Sequence, residues 1–184
     1  MDAADMGSDL ENVLVTNQQM QDRLEEMAQQ IDIDYAGKRP LVVGVLRGAL
    51  MVVADLTRKL HIPIEIDWMA VSSYGSGTKS SGVVRILKDL DTDVHNRDVI
   101  IIEDIIDSGL TLAWLKENLE TRGASSVSIA TALRKPDALK VPVDVRYVGF
   151  DIPNEFVVGY GLDYDENYRH LDCVGTLAPH VYGG

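Results

Sequence analysis

Val99-Ile100-Ile101-Ile102-Glu103-Asp104-Ile105-Ile106-Asp107-Ser108-Gly109-Leu110-Thr111-Leu112 is the stretch whose reading decides the fold. Its first four residues are β-branched and apolar, a run suited to a strand buried on both faces. The strand is expected to end in Glu103-Asp104. Asp107-Ser108-Gly109 then turns the chain into a helix from about Leu110 to Glu120, closed by Gly123. Val127 to Leu133 reads as the next strand. Strand, turn, helix, strand is the βαβ rhythm of an open, mostly parallel sheet. In such sheets ligands bind beyond the carboxyl ends of the strands, which is where this acidic turn falls.

The flanking segments fit the same architecture. Leu41 to Leu46 is another continuously apolar run, broken by Arg47-Gly48. Ala49 to Leu60 reads as a helix with Leu50, Val53, Ala54 and Leu56 on its inner side. Pro63 starts a strand over roughly Ile64 to Ser72. Tyr74 to Gly82 is small and polar and reads as a mobile loop, with a returning antiparallel strand at Val83 to Leu87. Towards the N-terminus, Thr16 is an N-cap for a helix from about Asn17 to Ile31. Leu24, Met27, Ala28 and Ile31 recur there at helical spacing. Residues 1–11 are polar and read as a disordered tail. Val145 to Phe150 and Phe156 to Val158 read as later strands. No repeat or linker divides the chain, so 1–184 is expected to be a single domain.

Composition narrows the function classes. Apolar residues make up 46% and charged residues 25%, as in an ordinary globular chain with a core. The formal net charge is −12, which repels a nucleic-acid backbone and argues against a general DNA or RNA binder. A small phosphorylated substrate is still compatible, because backbone amides or a cation can hold phosphate locally. The single cysteine, Cys173, cannot form an internal disulfide and reads as a small buried hydrophobe. The acidic start is no signal peptide, and no apolar run is long enough for a bilayer. The expectation is a cytoplasmic protein without membrane partners.

The acidic turn carries the chemistry. Its amides, the Ser108 and Thr111 hydroxyls and Gly109 suit a monophosphate. It lacks the Gly-Lys-Ser/Thr signature of a P-loop and the dinucleotide fingerprint. Glu103 and Asp104 would repel a bare phosphate, so they are expected to face a ribose diol or a hard cation. Asp107 alone is equally well explained as a helix cap. Two adjacent carboxylates closing a buried strand are harder to explain structurally, since desolvating unpaired ions costs several kcal/mol each. The four histidines, His61, His95, His170 and His180, show no metal-ligand spacing.

This segment resembles the phosphoribosyl-pyrophosphate signature of type I phosphoribosyltransferases. From about Val13 to Leu177 the chain is similar to the bacterial hypoxanthine(-guanine) members of that family. The resemblance implies the type I fold: α/β, a mostly parallel central sheet flanked by helices, a small hood and a flexible lid. It implies purine salvage, with the phosphoribosyl group passing to hypoxanthine or guanine, Mg²⁺ as cofactor, and a homodimer or homotetramer. By the same resemblance Asp107 is the general base. Arg47, Gly48, Glu103, Asp104, Ile105, Ile106, Asp107, Ser108, Gly109, Leu110, Thr111 and Arg169 contact the phosphoribosyl pyrophosphate. The peptide before Arg47 is often cis in the family, and many relatives carry lysine where this chain has Leu110. Ser72, Ser73 and Tyr74 open the lid. Lys135, Phe156, Val157 and Asp163 hold the purine, and Glu103, Asp104 and Asp163 hold the metal. Two other readings keep the fold: a non-catalytic phosphoribosyl-pyrophosphate sensor, and a transferase for another base such as xanthine. A third, an unrelated phosphoacceptor-like binding module, would lack the Ser108–Thr111 cradle.

Overall fold

The computed structural model describes residues 1–73 and 84–182. The strands are β1 (Leu10–Val15), β2 (Leu41–Leu46), β3 (Glu65–Ser73), β4 (Val84–Lys88), β5 (Asp98–Ile106), β6 (Ser126–Arg134), β7 (Tyr147–Asp151) and β8 (Val174–Leu177). The helices are α1 (Asn17–Asp34), α2 (Leu50–Thr57), α3 (Leu110–Thr121) and the short α4 (Pro179–Tyr182). Six strands form one sheet in the order β4-β3-β2-β5-β6-β7. Its pairs are parallel except β3 with β4. β1 and β8 make a separate antiparallel pair, the hood.

The continuous apolar runs are explained by two covered faces. On one side Val42, Ile100, Ile102 and Ala130 pack under α1 and α2, against Leu24, Met27, Val53 and Leu56. On the other, Leu41, Val43, Ile101 and Ile129 pack under α3, against Leu112, Leu115 and Leu119. Alternate residues of one strand thus enter opposite layers, as the pleat requires. Thr16 caps α1 as expected: its hydroxyl accepts from Gln19 N, while the Gln19 side chain accepts from Thr16 N at 2.9 Å. Cys173 is buried with Met6, Val158, Leu171 and Leu177 in a small cluster of its own.

Four expectations are corrected. Residues 1–11 are not a disordered tail. Ala3–Met6 is a 3₁₀ turn capped by Asp2, Met6 is buried, and β1 starts at Leu10. The ordering comes from pairing with the distant β8, Leu10 with Leu177 and Val15 with Val174, which no local pattern shows. β5 does not stop at Glu103-Asp104 but runs to Ile106, because β6 continues beside it and pairs Ile106 with Arg134. α2 is shorter than 49–60. Phe156 to Val158 is no strand; only Val158 bridges, to Gly175. Ser72 and Ser73 end β3, whereas the loop from Tyr74 to Gly82 lies outside the described residues.

Candidate active site

The parallel register places the site. β5 and β6 end side by side, and Lys135 N donates to Ile106 O at 2.9 Å. The first residues beyond the two strands, Asp107 and Lys135, therefore become neighbours. Lys135 Nζ lies 3.9 Å from Asp107 Oδ2; the lysine side chain is only 9% exposed, whereas Asp107 is 63% exposed. A buried ammonium held next to an accessible carboxylate pairs a fixed donor with a reachable acceptor.

Beside them lies a cavity of about 260 Å³ lined by Leu46, Gly48, Val71 and the run from Glu103 through Gly109, with Thr111 and Leu112. Gly109 adopts φ +78° at the start of α3 and offers no side-chain cap. Among the described residues, the main-chain bonds of the turn are Lys140 N to Ser108 O and Ala113 N to Gly109 O, while Ser108 Oγ accepts from Leu110 N at 3.4 Å. The next residues of α3, Thr111 and Leu112, line the cavity, and first-turn amides without an intrahelical partner suit an anion.

Glu103 and Asp104 give the site its acidity. Burial, and then the neighbouring Asp104 charge, push the Glu103 carboxyl well above the usual carboxylate range. Burial pushes Asp104 up to about 6, offset in part by the Ile105 amide and by Arg169. Among the described residues neither forms an ion pair. Gly48 lets Asp104 in: a Cβ there would sit 1.6 Å from Asp104 Oδ2. The Leu46–Arg47 peptide is cis. Gly161 packs its backbone on Gly48, where a Cβ would meet Gly48 O at 1.9 Å.

The loop between β7 and β8 supplies the rest. Arg169 donates to Gly161 O at 2.9 Å and pairs with Asp163 at 2.9 Å and Glu166 at 3.2 Å. Glu166 also holds Arg47, at 2.8 Å. The expected pyrophosphate arginines are thus both tied to one exposed glutamate. Tyr160, at φ +51° and buried, donates its hydroxyl to Asp55 of α2, which also accepts from Gln21 at 2.9 Å. This bond, unmarked by any sequence motif, fastens the loop to the helix that follows Gly48. Val157 is buried in the core, and Phe156 is half exposed.

Hard, unpaired carboxylate oxygens fit a magnesium ion. Among the described residues no three His, Cys, Asp or Glu side chains group as a cage, and Asp163 is occupied by Arg169. Magnesium commonly keeps several waters and substrate oxygens and takes only one or two carboxylates from protein, so Glu103 and Asp104 remain suitable ligands.

The family model described as "phosphoribosyl transferase domain" matches residues 12–165. The chain belongs to the phosphoribosyltransferase family. It is 56% identical over 180 residues to the hypoxanthine-guanine phosphoribosyltransferase of Mycobacterium bovis, covering 95% of this chain and 89% of that one. It is 50% identical to the enzyme of the same name from Streptococcus thermophilus, covering 95% and 97%. A crystal structure of a Staphylococcus aureus hypoxanthine phosphoribosyltransferase superposes with a TM-score of 0.94 at 45% identity, covering 99% of each chain. The phosphoribosyltransferase fold and enzyme class are therefore those of this chain, which stands with the hypoxanthine-guanine members.

Proposed function

We propose that this chain transfers the 5-phosphoribosyl group from 5-phosphoribosyl-1-pyrophosphate to hypoxanthine and guanine in purine salvage. The observation that carries the reading is the Asp107–Lys135 pair set beside the carboxylate-lined cavity. Lys135 would donate to the purine 6-oxo group, which adenine lacks; a polar site rejects a partner that leaves its donor unpaired. Phe156 would stack on the base and Val157 touch its edge through the backbone. Ser108, Gly109, Leu110 and Thr111, with the Ile105–Asp107 backbone, would hold the 5′-phosphate. Glu103 and Asp104 would take the ribose hydroxyls, and Arg47, Gly48 and Arg169 the pyrophosphate.

In the reaction a purine ring nitrogen forms the bond to the anomeric carbon as the bond from that carbon to pyrophosphate breaks. Asp107 accepts the ring proton, and nearby carboxylates stabilise the cationic sugar of the transition state. Glu103, Asp104 and Asp163 would hold Mg²⁺, which when bound would neutralise charge on the leaving pyrophosphate. Ser72 and Ser73, at the end of β3, would lead into the lid.

We further read 1–184 as one domain, cytoplasmic, working as a homodimer or homotetramer. The test is a steady-state assay of nucleotide formation with hypoxanthine, guanine and xanthine, with and without Mg²⁺. The expected result is metal-dependent inosine and guanosine monophosphate formation; chelation should abolish it. Asp107→Asn should lower kcat by roughly 10²–10⁴-fold with a much smaller change in KM for phosphoribosyl pyrophosphate. Preference for xanthine, or no product at all, would favour the other-base or sensor readings.

A further inference from the structure

Phe156 sits in a segment without regular secondary structure and is 51% exposed. Burial restrains a ring so placed only in part, yet it does not stand alone. Its centroid lies 5.9 Å from Tyr164 and 6.0 Å from Tyr182, at interplanar angles of 82° and 83°. Tyr164 and Tyr182 meet each other at 5.2 Å and 77°. The three rings are thus mutually edge-to-face, the arrangement favoured by aromatic quadrupoles. Tyr182 lies in α4, beyond the last strand, and is itself 42% exposed.

We infer that Tyr182 is a positioning residue for the purine site: it fixes the plane of Phe156, the half-exposed ring that would stack on the base. This rests on the reading that Phe156 stacks on the purine. The physical reason is that a stacking platform binds best when its orientation is set before the base arrives, because immobilising a free ring on binding costs affinity. Tyr164 belongs to the same loop as Phe156. Tyr182 comes from a different element and can hold the ring from outside that loop. The C-terminal helix thereby becomes part of purine recognition without touching the base.

The test is steady-state kinetics of the full chain with hypoxanthine at saturating phosphoribosyl pyrophosphate and Mg²⁺. Tyr182→Ala should raise KM for hypoxanthine about fivefold, with kcat and KM for phosphoribosyl pyrophosphate changed by less than about twofold. Tyr182→Phe keeps the ring and should restore the purine KM. Tyr182→Leu keeps an apolar side chain without the ring and should behave like Tyr182→Ala. Phe156→Ala should raise the purine KM by on the order of tenfold or more. On that background Tyr182→Ala should add nothing, because both act through one ring. The inference is overturned if Phe156→Ala raises the purine KM but Tyr182→Ala does not. Additive effects, or an equal loss of all parameters in both the Ala and Leu variants, also overturn it. If Phe156→Ala leaves the purine KM unchanged, the stacking reading itself fails and takes this inference with it.

Discussion

Gly48 has no side chain, and Asp104 uses the space. A Cβ at Gly48 would overlap Asp104 Oδ2 at 1.6 Å and sit 2.6 Å from its Cγ. Relief requires moving either the carboxylate or the turn after β2, and both are part of the cavity. Displacements of about 1 Å at a reacting centre can cost on the order of 10²-fold in rate. Gly48→Ala is therefore expected to lower kcat/KM by roughly that factor while the melting temperature stays within a few degrees. A fully active variant would show that the contact of Gly48 with Asp104 has no catalytic consequence. The sequence offers Gly48 only as a break after an apolar run. That the missing methyl makes room for a carboxylate 56 positions later depends on register between β2 and β5, which local pattern cannot supply.

At the scale of elements, the runs that alternate between two buried layers were legible, as was the Thr16 cap, because both follow from local chemistry. β1 and β8 were not. β1 has only Val15 fully buried and carries Glu11 and Asn12, so its strand character comes from a distant partner. The same holds for Asp67, which lies in β3 and is 5% exposed. Burial would raise its pKa, but it accepts from Trp68 N at 2.7 Å, Thr92 N at 2.8 Å and Asp91 N at 2.9 Å. The bonds win, and the carboxyl is held below its ordinary value. A group with a depressed folded pKa adds stability above its unfolded pKa and loses it as pH falls through the folded one. Asp67→Asn should cost about 2 kcal/mol at pH 7, since bonds to a charged acceptor are worth roughly 1.5–3 kcal/mol. In melting temperature that is roughly 4–8 °C for a chain of this size. The gap between variant and parent should begin to narrow below about pH 4, where the carboxylate of the unfolded chain protonates, and close as pH falls through the lower folded value. A gap independent of pH would show that packing, not ionisation, holds the loop after β4.

For the whole molecule, the proposed site would join parts that are remote in sequence. Glu103 to Thr111 span the end of β5 and the turn into α3, Gly48 follows β2, and Phe156, Asp163 and Arg169 lie on the loop that bonds to the hood through Val158 and Gly175. The central strands have neighbours on both sides and helices on both faces. The hood has only two strands, and although β8 is buried throughout, Glu11, Asn12 and Val13 of β1 are exposed. Local opening should therefore be easiest there. A product that touches both regions binds only when both are closed, so it stabilises them together. At one hundred times its dissociation constant, a ligand specific for the folded state adds about 2.7 kcal/mol, roughly 5–10 °C in melting temperature. Inosine monophosphate with Mg²⁺ should produce such a rise. In hydrogen exchange it should slow the amides of Ser108–Thr111 and of Val157–Arg169 in parallel, with saturation at one ligand concentration. Adenosine monophosphate, whose 6-amino group offers Lys135 no acceptor, should shift the melting temperature far less. If inosine monophosphate protected the Ser108–Thr111 turn and left the 157–169 loop exchanging as before, the purine would not be bridging the two. The base site would then have to be sought away from Phe156.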